Sequence, residues 1–194
     1  MNIEKEKQKI CPVEKAGGLD NVVRRFVQNP KKILKPYITK GMTALDLGCG
    51  PGFFSIEMAK LIGDTGKVIA VDLQQGMLDK VWKKINETEL EQRITLHKCK
   101  KESIDLNQKV DFVLAFYMIH EVTNQDKLFK ELKSILNPDG LIFIIEPNFY
   151  VSKKAFDSMI DRIRGLGFEV KEKPRVFFSR TVVLRNVELK GTNE

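Results

Sequence analysis

Residues 43–52 read Thr43-Ala44-Leu45-Asp46-Leu47-Gly48-Cys49-Gly50-Pro51-Gly52, and the rest of the chain can be arranged around them. Thr43–Leu47 has the pattern of a short strand buried on both faces, as in a parallel sheet covered by helices. Glycines follow at 48, 50 and 52, and Phe53–Ile62 then carries an apolar helical pattern. A strand that ends in a glycine turn and opens into a helix lets backbone N–H groups approach a ligand closely, because no Cβ stands in the way.

The glycine spacing narrows the ligand. A dinucleotide fingerprint, Gly-x-Gly-x-x-Gly or Ala, needs a small residue three places after its second glycine so that the helix can pack closely. Here that place holds Phe53, and the Gly-Lys-Ser/Thr ending of a phosphate-binding loop is absent. Asp46 stands two residues before Gly48, where a carboxylate can fix the turn or accept a bond from a cationic group. Asp46-x-Gly48-x-Gly50-x-Gly52 resembles the first motif of the class I S-adenosylmethionine (SAM) dependent methyltransferases.

Downstream, Gly63-Asp64-Thr65-Gly66 is a turn and Lys67–Asp72 a second buried strand. Asp72 lies about 20 residues beyond Gly50, the offset at which an acid reaches a ribose diol; this spacing serves a nicotinamide dinucleotide or SAM equally. Helix, strand, strand and helix patterns follow over Gln75–Leu90, Arg93–Lys98, Val110–Phe116 and Asp126–Leu136. Asn137-Pro138-Asp139-Gly140 reads as a turn feeding strand Leu141–Ile145. A helix over Ser152–Arg164, with Ala155, Met159, Ile160 and Ile163 on its apolar face, leads to two final strands at Phe168–Phe178 and Thr181–Val187.

Upstream, Met1–Lys9 is a polar lead-in, Leu19–Val27 an amphipathic helix, and Lys31–Pro36 a second short helix opened by Pro30. The expected fold is an α/β, doubly wound, mostly parallel seven-stranded sheet with an antiparallel last strand, Rossmann-like in plan. The expected organisation is one structural domain: an N-terminal helical cap segment over residues 1–40 and a SAM-binding methyltransferase domain over 41–194. The capping function of the first segment is implied by the resemblance alone. Leu136, Pro138 and Gly140 also resemble the corresponding step of this class, so the likeness runs from about Lys31 to Val187.

The resemblance implies roles for individual residues. Gly48, Cys49, Gly50 and Gly52 would admit the methionine part of SAM beside Asp46. Asp72 would take the ribose, with Leu73 packed on the adenine. Cys99 and Lys100 occupy the loop where family members place an Asp or Asn against the adenine amine, which leaves backbone contacts for that task. Phe116 would lie near the sulfonium. His120, one of two histidines, is the candidate for proton handling, with Glu121 to orient or replace it. His97, within a strand, reads as structural.

Composition sets the outer bounds. At 42% apolar and 30% charged residues the chain is neither disordered nor fibrous. Its longest apolar runs are too short to span a bilayer and the charged first nine residues lack a secretory pattern, so a cytoplasmic protein without membrane insertion is expected. Cys11, Cys49 and Cys99 lack metal-ligand spacing and are read as reduced thiols, with no metal expected. The net charge of +7 comes from scattered short clusters. The end of the fourth strand, Phe116-Tyr117-Met118-Ile119, lacks the Asp/Asn-Pro-Pro-Tyr/Phe motif of exocyclic-amine methyltransferases.

These features point to a SAM-dependent methyltransferase acting on a small-molecule acceptor, similar to the quinone and arsenite methyltransferases, with S-adenosylhomocysteine as product. An RNA-modifying enzyme of the same fold, drawn to nucleic acid by the basic charge, and a non-catalytic SAM-binding scaffold stay open as alternatives. The oligomeric state is not readable from the sequence.

Overall fold

Thr43–Leu47 forms β1, and it lies between two parallel neighbours, β2 (Lys67–Asp72) and β4 (Val110–Phe116). The computed structural model describes residues 28–187. Within them β3 (Ile94–Lys98) extends the sheet beyond β2, and β5 (Leu136–Pro147) extends it beyond β4, both in parallel. β7 (Ser179–Asn186) runs antiparallel between β5 and β6 (Phe168–Glu172), giving the order β3-β2-β1-β4-β5-β7-β6. This is the expected seven-stranded class I arrangement with its antiparallel last strand.

Strand alternation divides the core between the two faces of the sheet. Ala44, Phe112, Leu114, Phe116 and Phe143 point to the face covered by α1 (Pro30–Leu34), α2 (Phe53–Ile62) and α3 (Gln75–Ile85). Leu45, Leu47, Val113, Ala115 and Ile144 point to the face covered by α4 (Gln125–Ile135) and α5 (Lys153–Gly165). Both faces are apolar because both are covered, as parallel sheets require. The short α1 is capped by the Asn29 side chain, which accepts from the Lys32 N–H at 3.1 Å. Just beyond it Tyr37 stacks over Phe112 with ring centroids 6.2 Å apart.

Several boundaries differ from the sequence pattern, each for a local reason. α3 stops at Ile85, short of Leu90, because Glu87 takes a left-handed φ of 59° and its N–H turns to the Glu91 carboxylate. Asn137–Gly140 does not precede a strand but lies within β5, where the register jumps from Val110↔Leu136 to Phe112↔Leu141. Asp111 anchors this irregularity, accepting from Asn137 Nδ2 at 2.6 Å and from the Thr43 N–H at 2.8 Å. On α5 the buried position is Phe156, while Ala155 faces solvent. β6 ends at Glu172 because Pro174 has no N–H to give a ladder.

The expected lead-in over Met1–Lys9, the helix over Leu19–Val27 and Cys11 lie outside the described residues. Among the described residues, no helix is long and apolar enough to cross a membrane.

Candidate cofactor and substrate site

The turn after β1 is stitched to β2: the Gly48 and Cys49 N–H groups both donate to the Val71 carbonyl, at 2.9 and 2.8 Å. Gly48, Gly50 and Gly52 all have positive φ, at 72°, 52° and 84°. A Cβ on Gly48 would meet Met118 at 3.0 Å, and one on Gly52 would meet Val81 of α3 at 3.0 Å. A Cβ on Gly50 would meet nothing within 4 Å, because that residue borders open space. Gly52 thus serves helix packing, and Gly50 marks where the backbone is bare toward a ligand.

Gly48→Ala is expected to cost about 1–2 kcal/mol of unfolding free energy, the price of a left-handed non-glycine residue, as read by urea denaturation.

The loops that follow β1, β2, β3 and β4 converge on one cavity of about 230 Å³. Ligands in open α/β sheets bind at such carboxyl ends of strands. The cavity brings together Asp46, Gly48, Cys49 and Gly50 from the first loop, Asp72 and Leu73 from the second, Cys99 and Lys100 from the third, and Phe116 with Glu121 from the fourth. Gly52 and His120 are not among its lining residues.

The two acids are both engaged by the chain. Asp46, on the face toward α2, accepts from Ser55 Oγ at 2.5 Å and is buried. Asp72 accepts from the Gly50 N–H at 2.9 Å through Oδ2 and from the Gln74 N–H at 2.8 Å through Oδ1. It therefore ties the glycine turn to the loop after β2. Burial pushes the Asp72 carboxyl above its ordinary pKa, against the pull of the Gln74 and Gly50 N–H groups. Burial likewise raises the Cys49 thiol well above its usual value and the Cys99 thiol to about 11, with nearby acids adding to both. Neither sulfur is a ready thiolate near neutral pH. Among the described residues, no cluster of three or more His, Cys, Asp or Glu side chains could hold a metal ion.

The fourth loop holds residues that the sequence pattern did not single out. Tyr117 has a left-handed φ of 57°, and its ring stacks on Phe116 at 4.2 Å. Its hydroxyl accepts from Gln28 Nε2 at 2.6 Å and shares a hydrogen with Ser179 Oγ at 2.8 Å. Glu146, at the end of β5 and 1% exposed, accepts from the Ile119 N–H at 2.9 Å and pairs with His120 Nδ1 at 2.5 Å. The His120 ring also lies 4.7 Å from that of Tyr150. Burial lowers the His120 pKa, but the hydrogen bond and charge of Glu146, helped by Glu121, outweigh it and leave the imidazole above its ordinary value. His97 is structural in its contacts, with Nε2 at 2.8 Å from the Ile104 carbonyl.

Comparisons with known proteins bear on the family and the fold. The chain is 35% identical over 132 residues to the demethylmenaquinone methyltransferase of Lactobacillus johnsonii, covering 66% of this chain and 54% of that protein. It is 26% identical over 137 residues to the ubiquinone/menaquinone biosynthesis C-methyltransferase of Haemophilus ducreyi, covering 70% and 51%. The chain spans about half the length of these curated relatives. A SAM-dependent methyltransferase from Aquifex aeolicus superposes with a TM-score of 0.82 at 27% identity, over 92% of this chain and all of that one. Fibrillarin of Aeropyrum pernix, solved with natively bound SAM, shares the fold at a TM-score of 0.62 and 13% identity, over 76% of this chain and 68% of that one. A family model described as a methyltransferase domain matches residues 38–174, and the chain belongs to that family, with the fold of its SAM-dependent members.

Proposed function

We propose that this protein transfers a methyl group from SAM to a small-molecule acceptor with an apolar ring. The observation that carries this reading is the cavity where the bare backbone at Gly50 meets the Asp72 carboxylate at the carboxyl ends of β1 and β2. The residues present fit SAM: the Asp72 carboxylate, held by main-chain N–H groups that include those of Gly50 and Gln74, borders the cavity and can accept from a ribose diol. SAM supplies a methyl group already activated on a sulfonium, so the protein's tasks are binding, alignment, exclusion of water and removal of one proton.

In this reading Gly48, Cys49 and Gly50 give main-chain contacts beside Asp46, and Gly52 holds α2 close to α3 so that the turn keeps its shape. Asp72 takes the ribose hydroxyls and Leu73 packs on the adenine, with Cys99 and Lys100 offering backbone contacts to its edge. Phe116, backed by Phe54 at 4.5 Å, forms the wall near the transferring group. Glu121 borders the cavity and can meet an acceptor's proton directly. His120, held by Glu146, acts beside it. The cavity's Phe116, Tyr117, Met118 and Val122 suit a flat apolar acceptor, and the relatives' names suggest a quinone-type ring methylated at carbon.

The same reading places the enzyme in the cytoplasm, with residues 1–40 as a cap segment on a SAM-binding domain of 41–194. The net charge of +7 favours one second reading, methylation of RNA, which predicts RNA binding that falls steeply with salt.

The deciding experiment is a thermal shift with S-adenosylhomocysteine and, separately, with NAD. A ligand at 100 times its dissociation constant adds about 2.7 kcal/mol, a rise of several degrees for a domain of this size. A rise with S-adenosylhomocysteine and none with NAD is expected. A rise with NAD alone would overturn the cofactor assignment.

A further inference from the structure

Among the described residues five large hydrophobic side chains are exposed, and four of them lie on two adjoining loops: Phe149, Tyr150, Phe177 and Phe178, at 79%, 65%, 57% and 59% exposure. They come from two loops, one following β5 and one preceding β7. Because β5 and β7 are antiparallel neighbours, with Pro147 opposite Ser179, these loops emerge side by side. The Asn148 N–H donates to the Phe178 carbonyl at 3.0 Å and joins them. The Phe177 and Phe178 rings pack edge to face at 4.1 Å. Isolated exposed apolar residues need no explanation, but an aromatic knob of two exposed pairs on adjoining loops does.

The surroundings of the knob are basic. Over residues 148–157 and 172–180, five basic side chains (Lys153, Lys154, Lys173, Arg175 and Arg180) stand against two acids, Asp157 and Glu172. Asp157 is already paired with Lys153 at 3.0 Å and with Lys173 at 3.7 Å. Arg180 is held inward by the Val151 carbonyl, which leaves Lys154, in the first turn of α5, and Arg175, in the loop before β7, exposed.

We propose that this aromatic knob with its basic flanks docks the protein on an anionic phospholipid surface. Aromatic rings that enter the interfacial layer, flanked by cations that meet lipid phosphates, are the two components of reversible membrane attachment. A second copy is a poor occupant, since a two-fold contact would set each basic flank against its own image. Single-stranded RNA is also a poorer match, because Phe177 and Phe178 pack on each other and do not form spaced stacking platforms. Docking would hold the cavity close to the lipid: Ser179, next to Phe178, is bonded to Tyr117 of the cavity wall, and Tyr150 lies against His120. This surface does not depend on the methyltransferase assignment.

The test is flotation of the full chain with phosphatidylcholine vesicles, with and without about 30% phosphatidylglycerol. The expected result is flotation with the anionic vesicles only, lost in 0.5 M salt. Phe177→Ser with Phe178→Ser, and separately Lys154→Glu with Arg175→Glu, should each lower the vesicle-bound fraction about tenfold or more. All four positions are exposed, so both variants should keep the wild-type melting temperature.

Absence of flotation, equal binding to neutral and anionic vesicles, or wild-type flotation of both variants overturns the proposal. So does a dimer that the phenylalanine variant dissociates, RNA binding that the same variant abolishes in a chain that ignores vesicles, or a benzophenone at position 149 that crosslinks to residues 1–27 of its own chain. Vesicle binding without a response to S-adenosylhomocysteine would remove the methyltransferase reading and leave this one standing.

Discussion

Glu146→Ala is expected to lower the free energy of unfolding by about 3–5 kcal/mol, the cost of removing one member of a buried charged pair. Its carboxylate is 1% exposed and accepts from two donors, the Ile119 N–H and His120 Nδ1. The alanine methyl would leave both donors without this acceptor, and each unsatisfied buried donor costs about 1–3 kcal/mol. Glu146→Gln keeps an acceptor oxygen and the side-chain volume, so its loss should be smaller. Urea denaturation of the three proteins measures the series.

The same pair makes a pH prediction whose sign follows from the raised His120 pKa. A base that binds its proton more tightly when folded adds stability in full below its unfolded pKa, about 6.5. That contribution is lost as pH rises through the folded pKa. The stability gap between wild type and Glu146→Gln should therefore be widest near pH 6 and narrow toward pH 9. A gap that is flat over this range would mean that His120 gains no proton affinity from Glu146.

Asp72→Ala is expected to weaken S-adenosylhomocysteine binding by about 1.5–3 kcal/mol, the size of a hydrogen bond to a charged group, or roughly 10- to 150-fold in dissociation constant. Two losses contribute. The ribose loses its acceptor, and the Gly50 N–H loses the Oδ2 that fixes the turn. Asp72→Asn removes the charge while its amide oxygen can still hold the Gly50 N–H, although its NH2 then faces the Gln74 N–H. Isothermal titration of both variants gives the comparison, and an affinity unchanged in Asp72→Ala would remove the ribose from this position.

Much of the sheet was readable because burial on both faces writes itself into composition. β1, β2 and β4 match the bounds read from apolar runs such as Val110–Phe116, which follows the polar Asn107-Gln108-Lys109. The glycine turn was readable because backbone approach and left-handed φ both demand the same residue at fixed spacing. Contacts formed across long separations left no such trace. Glu146 looked like the end of a strand, and nothing local marks it as the partner of His120, 26 residues away. His120 itself was singled out for its titration range, whereas its ring is turned to Glu146 and Tyr150, and Glu121 takes the place on the cavity wall. The aromatic pairs at 149–150 and 177–178 were equally opaque, since hydrophobicity says that a ring seeks cover but not whether the fold supplies it.

β7 has a consequence for the order in which the molecule can be assembled. Among the described residues it is the last strand in sequence, yet it occupies the slot between β5 and β6. β6 has no sheet neighbour among the described residues other than β7, and one edge of β5 stays open until β7 arrives. During synthesis, then, β1 to β5 can pair as they leave the ribosome, but β6 must wait for residue 186. Over that interval the nascent chain carries an unpaired apolar edge, Ile142 to Ile145, of the kind that invites association with other chains.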